Sequence, residues 1–368
     1  MIIGIPKEVK NGENRISLIP AGVKSFVQAG HKVLIEKGAG LGSGITDDEY
    51  ILAGAEIVIS NKDIYHRAEM ILKVKEPIPD EYPLFQENQI LFTYLHLAPV
   101  PELTQALLKR KIIGIAYETI QMGDGTLPLL TPMSEIAGRM SIQVGAYMLQ
   151  KENGGSGILL GGVPGVEPGK IAIIGGGVVG SNAAKMAIGT GAIVTILDIN
   201  LNRLRHFDDI FVGRVQILMS DTHTIERSIL EADLVIGGVL IPGARAPKLI
   251  TKDMVSKMKK GSVIVDVAVD QGGCVETTTP TTHENPTYLV DGVVHYCVAN
   301  MPAAVPRTST FALTNATLPF ALKIANLGYQ GAMKSDKALK KGLNVFKGKI
   351  VCKAVAEAMG LECSPFEF

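Results

Sequence analysis

Residues 170–200 read KIAIIGGGVVGSNAAKMAIGTGAIVTILDIN, and the fold class is read from this stretch. An apolar run, Ile171 to Ile174, meets Gly175-x-Gly177-x-x-Gly180; a helical stretch follows, then a second apolar run, Ile193 to Leu197, ending in Asp198. Strand, glycine turn, helix and strand in this order make a βαβ unit suited to a dinucleotide. Gly175 permits the tight turn, Gly177 lets the backbone approach a pyrophosphate, and Gly180 lets helix and strand pack closely. The helix N-terminus at Val178 and Val179 supplies free amides and a positive dipole end for the phosphates. Asp198 stands 18 residues after Gly180, where a carboxylate accepts from both ribose hydroxyls and repels a 2′-phosphate. NAD is therefore expected over NADP, with Arg203 near enough to leave NADP a minor role. The alternative, glycines that merely allow tight packing, is weakened because strand, helix, second strand and acid are all in place.

Outward from this unit the same rhythm continues. Towards the C-terminus, strands are expected to end near Leu218, Val239, Val269 and Val298, and after Pro302 and Pro306 the pattern turns helical to the end, with Leu318, Leu322 and Ala325 on one face. Towards the N-terminus, a glycine-rich loop precedes Lys170, and a long helix starts at Thr131-Pro132 with Ile136, Met140, Val144 and Met148 at four-residue spacing. Before it lie apolar runs at Ile2 to Ile5, Val33 to Ile35, Ile57 to Ile59, Met70 to Val74, Ile90 to Leu95 and Ile112 to Tyr117. Pro20 to Gly30 reads as a helix with Val23, Phe26 and Val27 inward, and Thr46 opens another whose first turn holds Asp47, Asp48 and Glu49. Strands alternating with helices imply parallel sheets with crossovers.

The bulk numbers fit. A chain of 368 residues is about right for two domains, and 46% hydrophobic residues are ample for two cores. Lys+Arg and Asp+Glu are both 36, so nothing in the net charge attracts a polyanion, and no nucleic-acid partner is expected. Cys274, Cys297, Cys352 and Cys363 form no C-x-x-C pair, which suits reduced thiols better than a disulfide framework or zinc site. The opening MIIGIPKEVK carries charges where a signal peptide needs its apolar core, and no long uninterrupted apolar span appears. A cytoplasmic protein without membrane attachment is expected.

In open parallel sheets, ligands sit outside the carboxyl ends of the strands. Gly237-Gly238-Val239-Leu240 and Val267-Ala268-Val269-Asp270 end two later strands of the dinucleotide domain, so Asp270 is a carboxylate expected near the nicotinamide. The N-terminal part offers Arg15 in NGENRISLIP, Lys75 in ILKVKEP and His96 in FTYLHLAP. Hydride transfer from a small amino or hydroxy acid calls for a cation on the substrate carboxylate, a donor on the developing oxygen and an acid–base group. Arg15 could clamp a carboxylate in a bidentate manner, Lys75 could act as a point charge, and His96 titrates near neutrality. Blander readings stand beside these: a satisfied histidine, a solvated Lys75–Glu76 pair, a loop arginine. From residues alone, the reading stops at an NAD-dependent oxidoreductase.

GIPKE at the N-terminus, then ENRISLIPAGV, KVKEP, YLHLA, MSEIAGRMS and DVAVDQGG, in this order along nearly the whole chain, resemble the alanine dehydrogenase family. Related to that family are the nicotinamide nucleotide transhydrogenase α subunit and, more distantly, lysine and saccharopine dehydrogenases. The resemblance implies two Rossmann-like, doubly wound parallel-sheet α/β domains. A substrate domain, 1–129 with 306–368, would be interrupted by an inserted NAD domain, 130–305. It implies reversible oxidative deamination of L-alanine with NAD to pyruvate, ammonia and NADH, and a homohexamer. By matching motif, Arg15 and Lys75 bind substrate, and His96 and Asp270 resemble the catalytic pair. Ser134, Asp198, Arg203, Ser220, Val239, Leu240, Val267, Asn300 and Met301 resemble cofactor contacts, and Tyr94, Leu130 and Met133 would crowd the alanine methyl. No metal is expected, Glu118 being read as a satisfied polar residue.

Three rivals remain at this point. One is the soluble NAD-binding component of a transhydrogenase, which commonly has Glu where this chain has Asp270. Another is a dehydrogenase of the same fold for a different amino acid. The third is a silent binding protein, against which the intact Arg15, Lys75, His96 and Asp270 argue.

Overall fold

Short strands buried on both faces account for most of the apolar runs. In the computed structural model, which describes residues 1–239, 246–364 and 366, the strands are β1 (Ile2–Ile5), β2 (Lys32–Glu36), β3 (Glu56–Val58), β4 (Met70–Leu72), β5 (Ile90–Thr93), β6 (Ile113–Ala116), β7 (Lys170–Ile174), β8 (Ile193–Asp198), β9 (Gln216–Met219), β10 (Leu234–Gly237), β11 (Val263–Asp266), β12 (Thr287–Val290), β13 (Val293–Tyr296), β14 (Leu343–Phe346) and β15 (Lys349–Ile350). Every residue of β5, β6, β10 and β11 is buried, as expected when helices cover both faces of a parallel sheet.

The chain divides into two units: Met1–Met133 with Val305–Phe368, and Ser134–Ala304. In the first, the sheet runs β3-β2-β1-β4-β5-β6-β14-β15, parallel from β3 to β6 and antiparallel beyond. In the second it runs β9-β8-β7-β10-β11-β13-β12, parallel except for the β12 edge. Both are α/β domains built on the doubly wound order. The direction of winding reverses between β1 and β4 in one unit and between β7 and β10 in the other, and a crevice for a ligand opens at such a reversal.

Several elements depart from the expectations. The units divide at 133/134 and 304/305, beside the expected 129/130 and 305/306, and the first division falls inside the helix Thr131–Met148. The C-terminal stretch is not helical to its end. A helix, Pro306–Ser335, is kinked at Gly328 and followed by the hairpin β14–β15, which extends the first sheet along β6. Val27 is exposed, whereas Val23 and Phe26 are fully buried as expected. Thr46 does open a helix, in a reciprocal capping box with Glu49. β11 ends at Asp266, three residues before Val269, because the chain turns there into a short 3-10 segment, Val269–Gln271.

Candidate functional site

In the first unit the loop leaving β1 and the segment leaving β4 flank the reversal. Residues 15–17 are strapped down by the helix Pro306–Ser335: the Ile16 N–H donates to the Thr310 hydroxyl at 3.0 Å, and the Thr314 hydroxyl donates to Ser17 O at 3.4 Å. The Ser17 hydroxyl donates to Leu72 O at 2.9 Å, tying this loop to the end of β4. Arg15 is thereby held inside the protein. Its Nε and Nη2 donate to Glu13 Oε1 and Oε2 at 2.6 and 2.5 Å, and its Nη1 donates to Met133 Sδ at 3.1 Å. The expected clamp is thus pre-oriented on a neighbouring carboxylate.

Lys75 follows β4 beside a buried ionic network. Lys73 Nζ lies 2.8 Å from Glu81 Oε1 and 3.2 Å from Glu8 Oε2, and Glu8 Oε1 accepts the Val74 N–H at 2.6 Å. The Tyr65 hydroxyl completes the network on Glu81 at 2.7 Å. Lys75 itself has no side-chain hydrogen bond or ion pair among the described residues. Burial pushes its ammonium below the ordinary lysine value, partly offset by Glu76 and reinforced by the nearby positive charge of Arg15.

His96 leaves β5 with a left-handed backbone, φ 44°. Glu118 enforces that turn by accepting the His96 N–H at 2.7 Å and the Leu95 N–H at 3.2 Å. The imidazole stacks on Tyr94, centroids 5.8 Å apart, and Tyr94 is anchored by its hydroxyl on Leu129 O at 2.6 Å. Nδ1 lies 3.5 Å from Glu76 Oε2, an ion-pair distance rather than a well-formed hydrogen bond. Burial would lower the histidine pKa, but Glu76 and then Glu118 outweigh it and the net shift is upward. Arg15, Lys75 and His96 are therefore gathered at neighbouring strand ends. The Lys75–Glu76 dipeptide is not a solvated pair, since Glu76 is 8% exposed and engages Lys10 and His96.

In the second unit the glycine turn and the ends of β7, β8 and β9 form one rim. Gly175 has φ 95°, and a Cβ on Gly180 would meet Gly175 O at 1.9 Å, so neither position accommodates another residue without backbone movement. A Cβ on Gly177 would meet nothing nearer than Gly238 O at 3.9 Å, so its missing side chain leaves open space instead of relieving a protein contact. Gly177 caps the helix Val178–Gly189 without a side-chain hydrogen bond, so its first amides, Val178 and Val179 among them, present donors to an anion. Asp198 ends β8 and accepts the Gly176 N–H at 2.7 Å and the Asn200 N–H at 2.8 Å. Arg203 Nη1 donates to Gly176 O at 2.7 Å, bracing the turn, and the Ser220 N–H donates to Asp198 O at 3.0 Å. An open cradle, free helix amides and a strand-end carboxylate are features that fit a dinucleotide.

Val239 follows β10, packed where a Cβ on Gly175 would touch it, while Leu240 lies outside the described residues. The Val267 N–H continues the ladder to Gly237 O at 2.9 Å. Asp270 is exposed in the 3-10 segment, beyond a strand end rather than on it. Asn300, with φ 65°, and the buried Met301 follow β13, and Ser134 is half-buried in the helix Thr131–Met148.

The carboxylates that hold these groups were not anticipated. Glu13 and Glu76 each stand near a cation in sequence, a pattern that ordinarily marks an exposed pair. Asp266, wholly buried at the end of β11, accepts the Thr278 hydroxyl at 2.7 Å and the Ala268 N–H at 3.2 Å, fixing the turn towards Asp270. An acid closing a fully apolar run was the available signal.

Comparison with known proteins gives consistent matches. The family models for the alanine dehydrogenase/PNT N-terminal and C-terminal domains match residues 4–137 and 141–353. An alanine dehydrogenase of Methanococcus maripaludis is 62% identical over 368 residues, covering 100% of this chain and 99% of that one. An alanine dehydrogenase of Staphylococcus haemolyticus is 60% identical, covering 100% and 98%. A solved L-alanine dehydrogenase is similar with a TM-score of 0.95 at 56% identity, covering 98% of this chain and 99% of that one. A transhydrogenase from Sinorhizobium meliloti matches with a TM-score of 0.81 at 24% identity, covering 96% and 100%, a likeness of fold.

Proposed function

The chain belongs to the alanine dehydrogenase/PNT family, and on that premise we propose that it is an L-alanine dehydrogenase. The reaction is L-alanine, NAD⁺ and water to pyruvate, ammonium, NADH and a proton, and its reverse. The observation that carries this reading is the gathering of Arg15, Lys75 and His96 at the strand ends beside the β1/β4 reversal. The preference for NAD rests on Asp198, and the residues proposed to hold the cofactor are those of the glycine turn with Ser134, Arg203, Ser220, Val239, Val267, Asn300 and Met301. Leu240 is proposed with them on resemblance alone.

A nicotinamide held by these residues would supply the hydride acceptor for the amino-acid Cα. Arg15 binds the substrate carboxylate, for which its planar fork is the matching donor. Lys75, desolvated and without an ion-pair partner among the described residues, donates to the oxygen that becomes the keto group, and in a buried site such a fixed charge counts for more than in water. His96 takes a proton at Nε2 from the attacking water, its Nδ1 being turned to Glu76. Positioned proton transfer of this kind is worth roughly 10²–10⁴ in rate. Asp270 is proposed as the second member of the catalytic pair. Met133, whose sulfur accepts from Arg15, and Tyr94, stacked on His96, would limit the side chain to a methyl.

Among the described residues no helix is long and apolar enough to cross a membrane. A cytoplasmic homohexamer is proposed on family resemblance. The test is NADH formation with L-alanine beside glycine, L-serine and L-lysine, with NADP as the alternative cofactor. Turnover with alanine and NAD is expected. Faster turnover with lysine would instead favour the dehydrogenase of another amino acid.

A further inference from the structure

We propose that Glu76 is the positioning residue of the proton-carrying histidine: it receives Nδ1 of His96 on one oxygen, and Lys10 on the other sets how much of its charge the imidazole feels. The inference rests on the reading of His96 as the proton carrier and deepens it.

The geometry is asymmetric. Glu76 Oε1 is taken by the Lys10 ammonium, whereas Oε2 is buried without a hydrogen-bond donor. A buried carboxylate oxygen lacking a donor calls for an explanation. His96 Nδ1, 3.5 Å away, is able to supply one. A small rotation of the ring would close that distance, and catalytic hydrogen bonds are often long before substrate binds.

The rest of His96 is already fixed. Its backbone is held by Glu118, and its ring lies against Tyr94 at an interplanar angle of 21°. Nε2 has no partner among the described residues, so a proton held on Nδ1 by Glu76 makes Nε2 the atom that accepts from substrate or water.

Among the described residues, the charged groups around the ring act in both directions. Glu76 and Glu118 favour the imidazolium, Lys75 opposes it, Tyr94 is neutral, and Lys10 acts through Glu76. Burial also opposes the charge, and the carboxylates prevail.

Removing Glu76 and removing Lys10 predict shifts of opposite sign. The pH profile of kcat/KM for alanine deamination would be measured for the wild type, Glu76→Gln, Lys10→Met and His96→Gln. Deamination needs neutral His96, so the acidic limb follows its pKa. Glu76→Gln should move that limb down by about one pH unit, as expected on losing one adjacent opposite charge. Lys10→Met should move it up, because the remaining Glu76 charge then acts on His96 alone.

An unmoved limb in Glu76→Gln, or shifts of the same sign in both variants, overturns the proposal. If Glu76→Gln does not fold, Lys10→Met carries the test, since the Lys10 side chain is half-exposed, and an unmoved or lowered limb is then the contrary result. His96→Gln should show no turnover at any pH. An active His96→Gln would refute the assignment of His96 itself, a failure distinguishable from an unshifted profile in an otherwise histidine-dependent enzyme.

Discussion

Glu13 and Arg15, two residues apart in the loop leaving β1, form a forked ion pair, Nε on Oε1 at 2.6 Å and Nη2 on Oε2 at 2.5 Å, with side chains only 1% and 2% exposed. The planar guanidinium is aligned by the carboxylate before any substrate arrives, which reduces the ordering needed on binding. Glu13→Ala leaves the buried cation without this partner and should cost about 3–5 kcal/mol of stability, read from a denaturation midpoint. Arg15→Lys keeps the charge and loses the fork. Its KM for pyruvate should rise roughly tenfold or more, the loss of one charge-assisted hydrogen bond. An unchanged KM would remove Arg15 from carboxylate binding.

Lys75 predicts a second pH limb. Burial lowers its pKa, so the ammonium should be lost, and alanine turnover with it, below the ordinary lysine value of about 10.4. Lys75→Arg keeps its charge at alkaline pH and should flatten that limb, whatever its rate. The stability effect has the same origin. Because the folded pKa is depressed, the unfolded chain binds more protons between the two values, and the Lys75 contribution to stability rises with pH across that window. Lys75→Met with wild-type turnover would refute the role.

Asp198 predicts cofactor choice. Its carboxylate is oriented by the Gly176 and Asn200 amides, so Asp198→Ser should remove the charge without disturbing β8. The ratio of NADP to NAD in kcat/KM should rise roughly 10- to 100-fold, corresponding to about 1.4–2.8 kcal/mol of relieved repulsion, with Arg203 then able to pair with the 2′-phosphate. No change in the ratio would take Asp198 out of ribose recognition.

Two glycines of one helix should respond oppositely. Gly180→Ala drives a methyl to 1.9 Å from Gly175 O, and should both lower the thermal midpoint and weaken NAD binding. Gly189→Ala meets nothing within 4 Å, and should stabilise by about 0.4–1 kcal/mol through the unfolded chain. Thermal melts with and without NAD separate the two. Equal behaviour would contradict the packing of the turn.

The strand–turn–helix–strand at residues 170–200 is legible in sequence because every part of it is local, and the rhythm of apolar runs carries over to the first unit for the same reason. What escapes is the non-local part. Glu13 and Glu76 stand near cations in charged loops, and only the folding of those loops against β1, β4 and the helix Pro306–Ser335 buries them. β14 and β15 are short and follow a long helical pattern, and only the exposed edge of β6 makes them strands. Asp270 is misjudged as a strand end because Val267-Ala268-Val269 continues the apolar run past Asp266, where the ladder stops.

An isotope label at Cα follows the hydride itself. Purified protein would be incubated with NAD and L-alanine deuterated at Cα, and the reduced cofactor and keto acid analysed by mass spectrometry. One deuterium is expected in each NADH formed and pyruvate in equal amount, both lost in His96→Gln while NAD still binds. NAD binding by the wild type with no transfer of label would contradict an alanine dehydrogenase activity and favour a cofactor-binding role on the same scaffold.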